Sequence, residues 1–161
     1  MAKTDLGKKW EAVFEKSWKD AFPDDFIFRL KDQMTGYKET SENPCDYFCH
    51  TDGMLFMVEC KTHKGASIPL SVIPQYERLL RYKNIKDIIP GVLIWFSEKD
   101  SIIWVDISEM EKMVLDGEKS IGLRMLEKKL YNIIELPFEK KRVYLFPDCK
   151  YLVNLKSKGC E

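Results

Sequence analysis

The sequence predicts an α/β fold in which a mixed central β-sheet has helices on its faces. The chain opens with a long amphipathic helical pattern. Three short apolar runs rich in aromatic and β-branched residues follow, and such runs are typical of strands. A second helical segment and two further strand-like runs come next, before a mixed C-terminal part. This order of helices and strands is that of a layered α/β domain.

The first helix is predicted to begin at Thr4 or Asp5 and to run to about Phe22, where Pro23 ends it. Its apolar stripe comprises Trp10, Val13, Phe14, Trp18 and Phe22. These positions recur at the spacing that places side chains on one face of a helix. A strand is then predicted over 26–30, because its residues alternate and are rich in aromatic and β-branched types.

Residues 31–45 are polar and predict a loop, after which 46–50 and 55–61 predict a hairpin around Asp52-Gly53. Residues 62–69 predict a second loop. A helix is expected over 71–82, since Pro74 is acceptable in its first turn. The remaining expected elements are strands at 91–96 and 102–107, one or two short helices within 108–130 broken near 117–122, and short strands at 131–136 and 143–146.

Composition narrows the class of protein. At 161 residues, with 45% hydrophobic and 32% charged residues, the chain is expected to form one folded domain over 1–149 and a mobile tail over 150–161. The 26 basic and 26 acidic residues cancel, which mildly disfavours nucleic-acid binding. Five unevenly spaced cysteines favour a reducing cytosol over a disulfide framework. No signal peptide or membrane span is evident, so we expect a cytoplasmic protein without a membrane partner.

The residues that suggest chemistry are Asp46, Glu59 and Lys61. Glu59 and Lys61 are two positions apart in a predicted strand, so both side chains leave the same face. If the strand that follows Asp46 pairs with theirs, all three groups converge at one edge of the sheet. Two carboxylates there would require a hard cation such as Mg²⁺, which prefers oxygen ligands. The lysine would orient a water molecule or stabilise charge on a phosphate.

This set of residues resembles the PD-(D/E)XK nuclease superfamily, although one residue separates Pro44 from Asp46. The flanking sequence resembles RecU-like, phage-type Holliday junction resolvases over roughly residues 7–146. The segments that carry this resemblance are Gly7–Glu11, Arg29–Asp32, Asn43–Asp46, Lys61–Gly65, Ile73–Gln75, Lys119-Ser120 and Arg142-Val143. The resemblance implies a restriction-endonuclease-like core. The ordered set of Gly7, Glu11, Asp46, Glu59, Lys61 and Gln75 is much more specific than an isolated Asp…Glu-x-Lys pattern.

The resemblance also implies a role for the five residues of this set other than Gly7. Asp46 and Glu59 would hold one or two Mg²⁺ ions, for which Mn²⁺ could substitute, and Glu11 would be a further ligand. Lys61 and Gln75 would act on the water or the phosphate. Each of the five could instead be an ordinary charged or polar side chain at the surface, and Glu15 could share the face of Glu11.

Four basic residues, Arg29, Lys64, Arg78 and Arg81, are candidates for contacts with DNA phosphates. Each could equally be a solvated charge, and Arg29 could form a local ion pair with Asp32. A zinc site built from the cysteines and histidines of residues 45–63 is disfavoured, because the cysteines lack a paired spacing and Cys60 should face the core. Trp95, Phe96 and Trp104 are expected to be core residues rather than platforms for stacking bases.

The sequence therefore predicts a Mg²⁺-dependent, structure-selective endonuclease that nicks branched DNA, specifically four-way junctions, in a bacterial or phage-infected cell. A homodimer is expected, since a four-way junction has two-fold symmetry and needs two symmetric cuts. Two alternatives stay open. One is a restriction- or repair-type endonuclease on duplex DNA, because the same core serves several substrates. The other is a DNA-binding module that does not cut.

Overall fold

The computed structural model describes residues 5–31 and 43–159. The helices are α1 (Asp5–Ala21), α2 (Tyr76–Leu80), α3 (Ile107–Leu115), α4 (Arg124–Lys128) and α5 (Cys149–Lys158), with a short 3₁₀ turn at Leu70–Val72. The strands are β1 (Phe26–Arg29), β2 (Tyr47–Thr51), β3 (Met54–His63), β4 (Ser67–Pro69), β5 (Ile88–Phe96), β6 (Ser101–Asp106), β7 (Ser120–Gly122), β8 (Ile134–Glu135), β9 (Phe138–Lys141) and β10 (Tyr144–Pro147).

A six-stranded mixed sheet forms the centre of the molecule, in the order β1-β2-β3-β5-β6-β8. Strands β3 and β5 are parallel, and the other neighbours in this sheet are antiparallel. Two small antiparallel sheets, β4-β7 and β9-β10, complete the β-structure. This mixed sheet with helices on its faces confirms the predicted fold class.

One face of the sheet carries an aromatic core beneath α1 and α5. The apolar stripe of α1 was expected, and Trp10, Phe14 and Trp18 are fully buried on this face. Trp10 also donates from its indole nitrogen to the backbone oxygen of Leu93 in β5 (3.4 Å) and packs against Trp95. These contacts fix where α1 crosses the sheet and therefore where Glu11, the next residue, is placed.

The opposite face carries an aliphatic core beneath α2 and α3. Val92 and Ile94 of β5 pack there with Leu79 of α2 and Met110 of α3. Side chains alternate along β5, so Leu93 and Trp95 belong to the first core and their neighbours to the second. A strand buried on both faces explains why β5 is almost wholly apolar.

Several predicted elements are confirmed. Helix α1, β1, the β2-β3 hairpin, β5, β6 and the break between α3 and α4 lie where they were expected, within one to three residues at most ends. Asp52 and Gly53 both have positive φ angles (52° and 74°), as a two-residue hairpin turn requires. Trp95, Phe96 and Trp104 are buried core residues, as predicted.

Other predictions need correction. Residues 62–69 are not simply a loop, because β3 extends to His63 and residues 67–69 form β4, which pairs with β7. The helix expected over 71–82 is only Tyr76–Leu80. Residues 149–158 form α5 rather than a mobile tail, with Leu152 and Val153 buried. Strand β9 was not predicted, and most of the loop expected over 31–45 lies outside the described residues.

Candidate active site

Asp46 is fixed at the start of β2 by hydrogen bonds to β3. Its backbone nitrogen donates to the oxygen of Val58 (3.0 Å), and its Oδ2 accepts a hydrogen bond from the backbone nitrogen of Cys60 (2.9 Å). The carboxylate of Asp46 therefore takes the place of a backbone acceptor in the ladder. The pairing of β2 with β3 brings Asp46 level with Glu59 and Cys60 although 13 or more residues separate them in sequence.

Glu59 and Lys61 project from the face of β3 that carries Met57, towards the α2 and α3 side of the sheet. The Lys61 Nζ lies 3.6 Å from the Glu59 Oε1. Cys60, between them, points to the opposite face and belongs to the aromatic core, as predicted. The alternation of side chains along β3, which the sequence predicted, thus places Glu59 and Lys61 on one face of the sheet and Cys60 on the other.

Both carboxylates are largely excluded from solvent. Glu59 is 1% exposed and Asp46 is 8% exposed, whereas the side chain of Lys61 is 20% exposed. Burying an ionised carboxylate has a high free-energy cost unless hydrogen bonds, cations or metal ions compensate for it. Placing two such groups side by side is therefore a feature that ordinary packing does not explain.

Glu11 approaches the same region from the other face of the sheet. It is 3% exposed within α1, and its Oε1 lies 3.8 Å from the guanidinium of Arg29 in β1. The charge of Glu11 acts on the thiol of Cys60, as do the charges of Asp46 and Glu59. Burial, and then the charges of Asp46, Glu59 and Glu11, hold the pKa of the Cys60 thiol well above its usual value. The charges of all three carboxylates therefore act on one buried thiol.

Glu15, one helical turn after Glu11, contacts Tyr47 rather than the carboxylate group. The Tyr47 hydroxyl lies 3.3 Å from the Glu15 Oε2 and 3.2 Å from the backbone oxygen of Glu11. Burial, and then the nearby thiol of Cys60 and the two glutamates, raise the pKa of this hydroxyl, so it stays protonated as a hydrogen-bond donor. Sequence reasoning did not identify Tyr47, since nothing in an alternating strand distinguishes it from a core residue.

Gln75 lies immediately before α2, whose Leu79 packs in the aliphatic core, and so on the same side of the sheet as Glu59 and Lys61. Its side-chain Oε1 is buried and accepts no hydrogen bond among the described residues. A buried amide oxygen without a donor is uncommon in folded proteins. It is a free acceptor close to the sheet face that carries the candidate site.

The four candidate phosphate contacts have different surroundings. Arg78 donates from Nη1 to the backbone oxygen of Asn43 (2.6 Å), and Asn43 donates from Nδ2 to the oxygen of Lys31 (2.7 Å). These bonds anchor the segment that leads to Asp46, which gives Arg78 a positioning role that sequence reasoning missed. Arg29 is paired with Glu11, whereas Lys64 and Arg81 are exposed. Asp32, the alternative partner of Arg29, lies outside the described residues.

The ligand chemistry of the site fits a hard divalent cation. Asp46, Glu59 and Glu11 supply carboxylate oxygens, which Mg²⁺ and Mn²⁺ favour, and Mg²⁺ is commonly held by only one or two carboxylates together with water and phosphate. Within residues 5–31 and 43–159, however, no three His, Cys, Asp or Glu side chains are grouped so that they could hold a metal ion, so Glu11 does not complete a set of three ligands with Asp46 and Glu59. Cys45, Cys49 and Cys60 are buried free thiols whose pKa values are raised chiefly by burial.

Within the described part of the chain, no helix is long and apolar enough to cross a membrane. The sequence matches no protein-family model and no curated protein sequence. The fold is similar to a solved structure of Hjc, a Holliday junction resolvase from the archaeal hyperthermophile Archaeoglobus fulgidus. The TM-score is 0.53 and the identity 17%, over 76% of this chain and 93% of that chain. The chain therefore has the restriction-endonuclease-like fold. In this chain Asp46 immediately precedes β2, and Glu59 and Lys61 lie in β3.

Proposed function

We propose that this protein is a metal-dependent endonuclease that cuts four-way DNA junctions. The observation that carries the proposal is two buried carboxylates on paired strands: Asp46, which accepts a hydrogen bond from the backbone of Cys60, and Glu59, which lies beside Lys61. The similarity in fold to a Holliday junction resolvase supports the choice of substrate. The resemblance of the sequence motifs to RecU-like, phage-type resolvases supports it independently of the fold.

Asp46 and Glu59 would hold the metal ion, with Glu11 as an indirect ligand. When bound, a Mg²⁺ or Mn²⁺ ion would polarise the scissile phosphate and lower the pKa of a water molecule. The hydrogen bond from the Cys60 backbone nitrogen to Oδ2 fixes the direction of the Asp46 carboxylate. The metal would offset the repulsion between the two buried carboxylates.

Lys61 and Gln75 would act on the reacting groups. The ammonium of Lys61 would donate to a phosphate oxygen, where negative charge increases as the bond to phosphorus forms. The buried Oε1 of Gln75 would accept a hydrogen bond from the attacking water and so orient it. Water oxygen bonds to phosphorus, the bond to the 3′ oxygen breaks, and the products are a 5′-phosphate and a 3′-hydroxyl.

A homodimer would provide two such sites for the two symmetric cuts that a junction needs. Recognition would rest on the shape of the branched DNA and on phosphate contacts from exposed residues such as Lys64 and Arg81. Arg29, which is 38% exposed while it pairs with Glu11, would contribute from the edge of the sheet.

The first experiment compares cleavage of a labelled four-way junction with cleavage of linear duplex of the same sequence, with Mg²⁺ and with chelator. We expect paired symmetric nicks in the junction alone, lost with chelator. Asp46→Asn and Glu59→Gln should each reduce cutting at least about a hundredfold, because each removes a metal-binding charge. Glu139→Gln is the matched control, since Glu139 is an exposed carboxylate on β9, and it should cut like the wild type.

The outcomes separate the alternatives. Equal cutting of linear duplex would indicate a restriction- or repair-type enzyme with the same site. Junction binding without cutting, in either Mg²⁺ or Mn²⁺, would indicate a binding module. If folded Asp46→Asn and Glu59→Gln variants cut junctions at the wild-type rate, the assignment of the site is wrong.

A further inference from the structure

Strand β1 forms one edge of the central sheet. It pairs with β2, and no strand among the described residues pairs with its other side. Phe26 and Phe28 are 52% and 51% exposed, and their rings stack almost in parallel, 6.2 Å apart between centroids. An apolar edge strand without proline or a bulge is a template for pairing with another chain. Residues 5–31 and 43–159 supply no strand that covers this edge, so it can accept a further strand.

The backbone of β1 presents specific hydrogen-bonding groups at this edge. The Leu30 nitrogen donates to the oxygen of Asp46, so even-numbered residues of β1 direct their backbone groups towards β2. The backbone nitrogen and oxygen of Ile27 and of Arg29 consequently point away from the sheet. Those of Ile27, at the centre of β1, are the donor and acceptor to which a further strand would bond.

The sequence of this edge is complementary to itself in the antiparallel direction. From Asp25 to Arg29 it reads acidic, aromatic, aliphatic, aromatic, basic. Antiparallel pairing with an identical strand, centred on Ile27, sets Asp25 opposite Arg29, Phe26 opposite Phe28 and Ile27 opposite its own copy. Both ends of the contact then carry opposite charges, in addition to the pairing of Arg29 with Glu11 and the hydrogen bond from the Thr51 hydroxyl to Asp25 within each chain, and aromatic side chains meet across its middle.

We propose that β1 pairs with β1 of a second copy of this chain, in the register centred on Ile27, to form a sheet continuous across the dimer. Residues opposite one another share a face, so the two-fold axis is perpendicular to the sheet. The register of β1, β2 and β3 places Phe26 and Phe28 on the face of Glu59 and Lys61. Four phenylalanines would thus pack between the two sites.

This arrangement has a consequence for cutting, which rests on the proposed function, whereas the dimer contact itself does not. Both sites face the same side of the continuous sheet. Each Asp46 lies two strands from the other chain's β1 and three residues along the strand from the axis, so the two sites would be about 25–30 Å apart. One branched DNA molecule lying across that face could reach both sites.

A cysteine at the symmetry axis tests the contact and its register. In an Ile27→Cys variant, the two copies of residue 27 would have Cα atoms about 5.5 Å apart, within the range that a disulfide spans. Mild oxidation should link most of the protein into covalent dimers. Cys160→Ser serves as background, because Cys45, Cys49, Cys60 and Cys149 are buried. Phe26→Cys is the matched control, since its copies would be diagonal and too far apart to link.

Charge variants test the same contact without forming a disulfide at the two-fold axis. Asp25→Lys and Arg29→Glu each place like charges opposite one another, so each protein alone should be monomeric by sedimentation. An equimolar mixture should form heterodimers, because the altered residues of the two chains are then complementary. Circular dichroism checks that both variants fold.

The proposal is overturned if Ile27→Cys cross-links no faster than Phe26→Cys and the mixed charge variants stay monomeric. It is also overturned if both charge variants dimerise alone as the wild type does, which would place the interface elsewhere. These readouts use no DNA and no metal. A protein that dimerises as expected yet fails to cut junctions would contradict the proposed function and leave this contact standing.

Discussion

Gln75 is the residue at which a structural and a catalytic role can be told apart most directly. Its Oε1 is buried without a hydrogen-bond donor among the described residues. Removing an unsatisfied buried acceptor is neutral or mildly stabilising, whereas removing a satisfied one is destabilising. A residue retained at a cost to stability is typical of a functional site.

We therefore expect Gln75→Leu to leave the free energy of unfolding unchanged or to raise it by up to about 1 kcal/mol. Junction cleavage should fall roughly tenfold to a hundredfold, because the attacking water loses a positioning group. Urea denaturation and single-turnover cleavage measure the two quantities. A lower free energy of unfolding with unchanged cleavage would make Gln75 a structural residue.

The chemistry-bearing residues were predictable because their environment in the sequence is unusual. A glutamate and a lysine inside an otherwise apolar strand violate the pattern of a buried element, and that violation identified Glu59 and Lys61. The bond between Arg78 and the backbone of Asn43 had no such signal. These residues are 35 positions apart, and only the docking of α2 brings them together.

The predicted helices and strands agree with the observed ones where residues close together in the sequence determine the element. Alternating apolar residues and the Asp52-Gly53 turn define the β2-β3 hairpin within a short stretch of sequence. Strand β9 is exposed at every position, so no burial pattern predicts it, and its pairing with β10 forms it. Helix α5 was missed despite the apolar spacing of Cys149, Leu152 and Val153, because its position near the end of the sequence suggested disorder.

The shortness of α2 follows from one residue. The apolar spacing after residue 70 is helical, but Pro74 restricts the residue before it to extended conformations. Ile73 has φ −115° and ψ 71°, which is outside the helical region although not fully extended, and the α-helix begins only at Tyr76. A helix of the predicted length would have left Gln75 within its second turn rather than at its N-terminus.

The junction of β5 and β6 provides a stability test at the level of the sheet. A Cβ atom on Gly91 would lie 2.3 Å from the Cζ2 atom of Trp104, a fully buried ring. We expect Gly91→Ala to lower the free energy of unfolding by about 1–3 kcal/mol or more, since neither the strand nor the indole can move freely.

Gly65→Ala is the control for this substitution, because its Cβ would meet the ring of His63 at an ordinary contact distance of 3.7 Å. Urea denaturation with an unchanged slope would attribute any shift in midpoint to stability. Equal midpoints for Gly91→Ala and the wild type would show that the β5-β6 packing adapts.

The whole molecule carries no net charge, with 26 basic and 26 acidic residues, so any attraction to DNA must come from local groups. The buried carboxylates add negative charge at the proposed site itself. Phosphate contacts from exposed cations would have to outweigh this repulsion, with help from the metal ion. Affinity for DNA should therefore depend on few basic residues, and the substitution of any one of them should lower that affinity measurably.

Lys64, exposed just beyond the end of β3, is the residue to test. A lysine that contacts a phosphate contributes about one unit to the slope of log K against log salt concentration. We expect Lys64→Ala to lower the magnitude of that slope by roughly one unit in junction-binding titrations. Lys16→Ala is the control, since Lys16 is exposed on α1, which covers the opposite face, and it pairs only with Asp20 among the ion pairs of the described residues. An identical slope for Lys64→Ala and the wild type would remove Lys64 from the DNA contact surface and shift the search to Arg81 and the edge of β1.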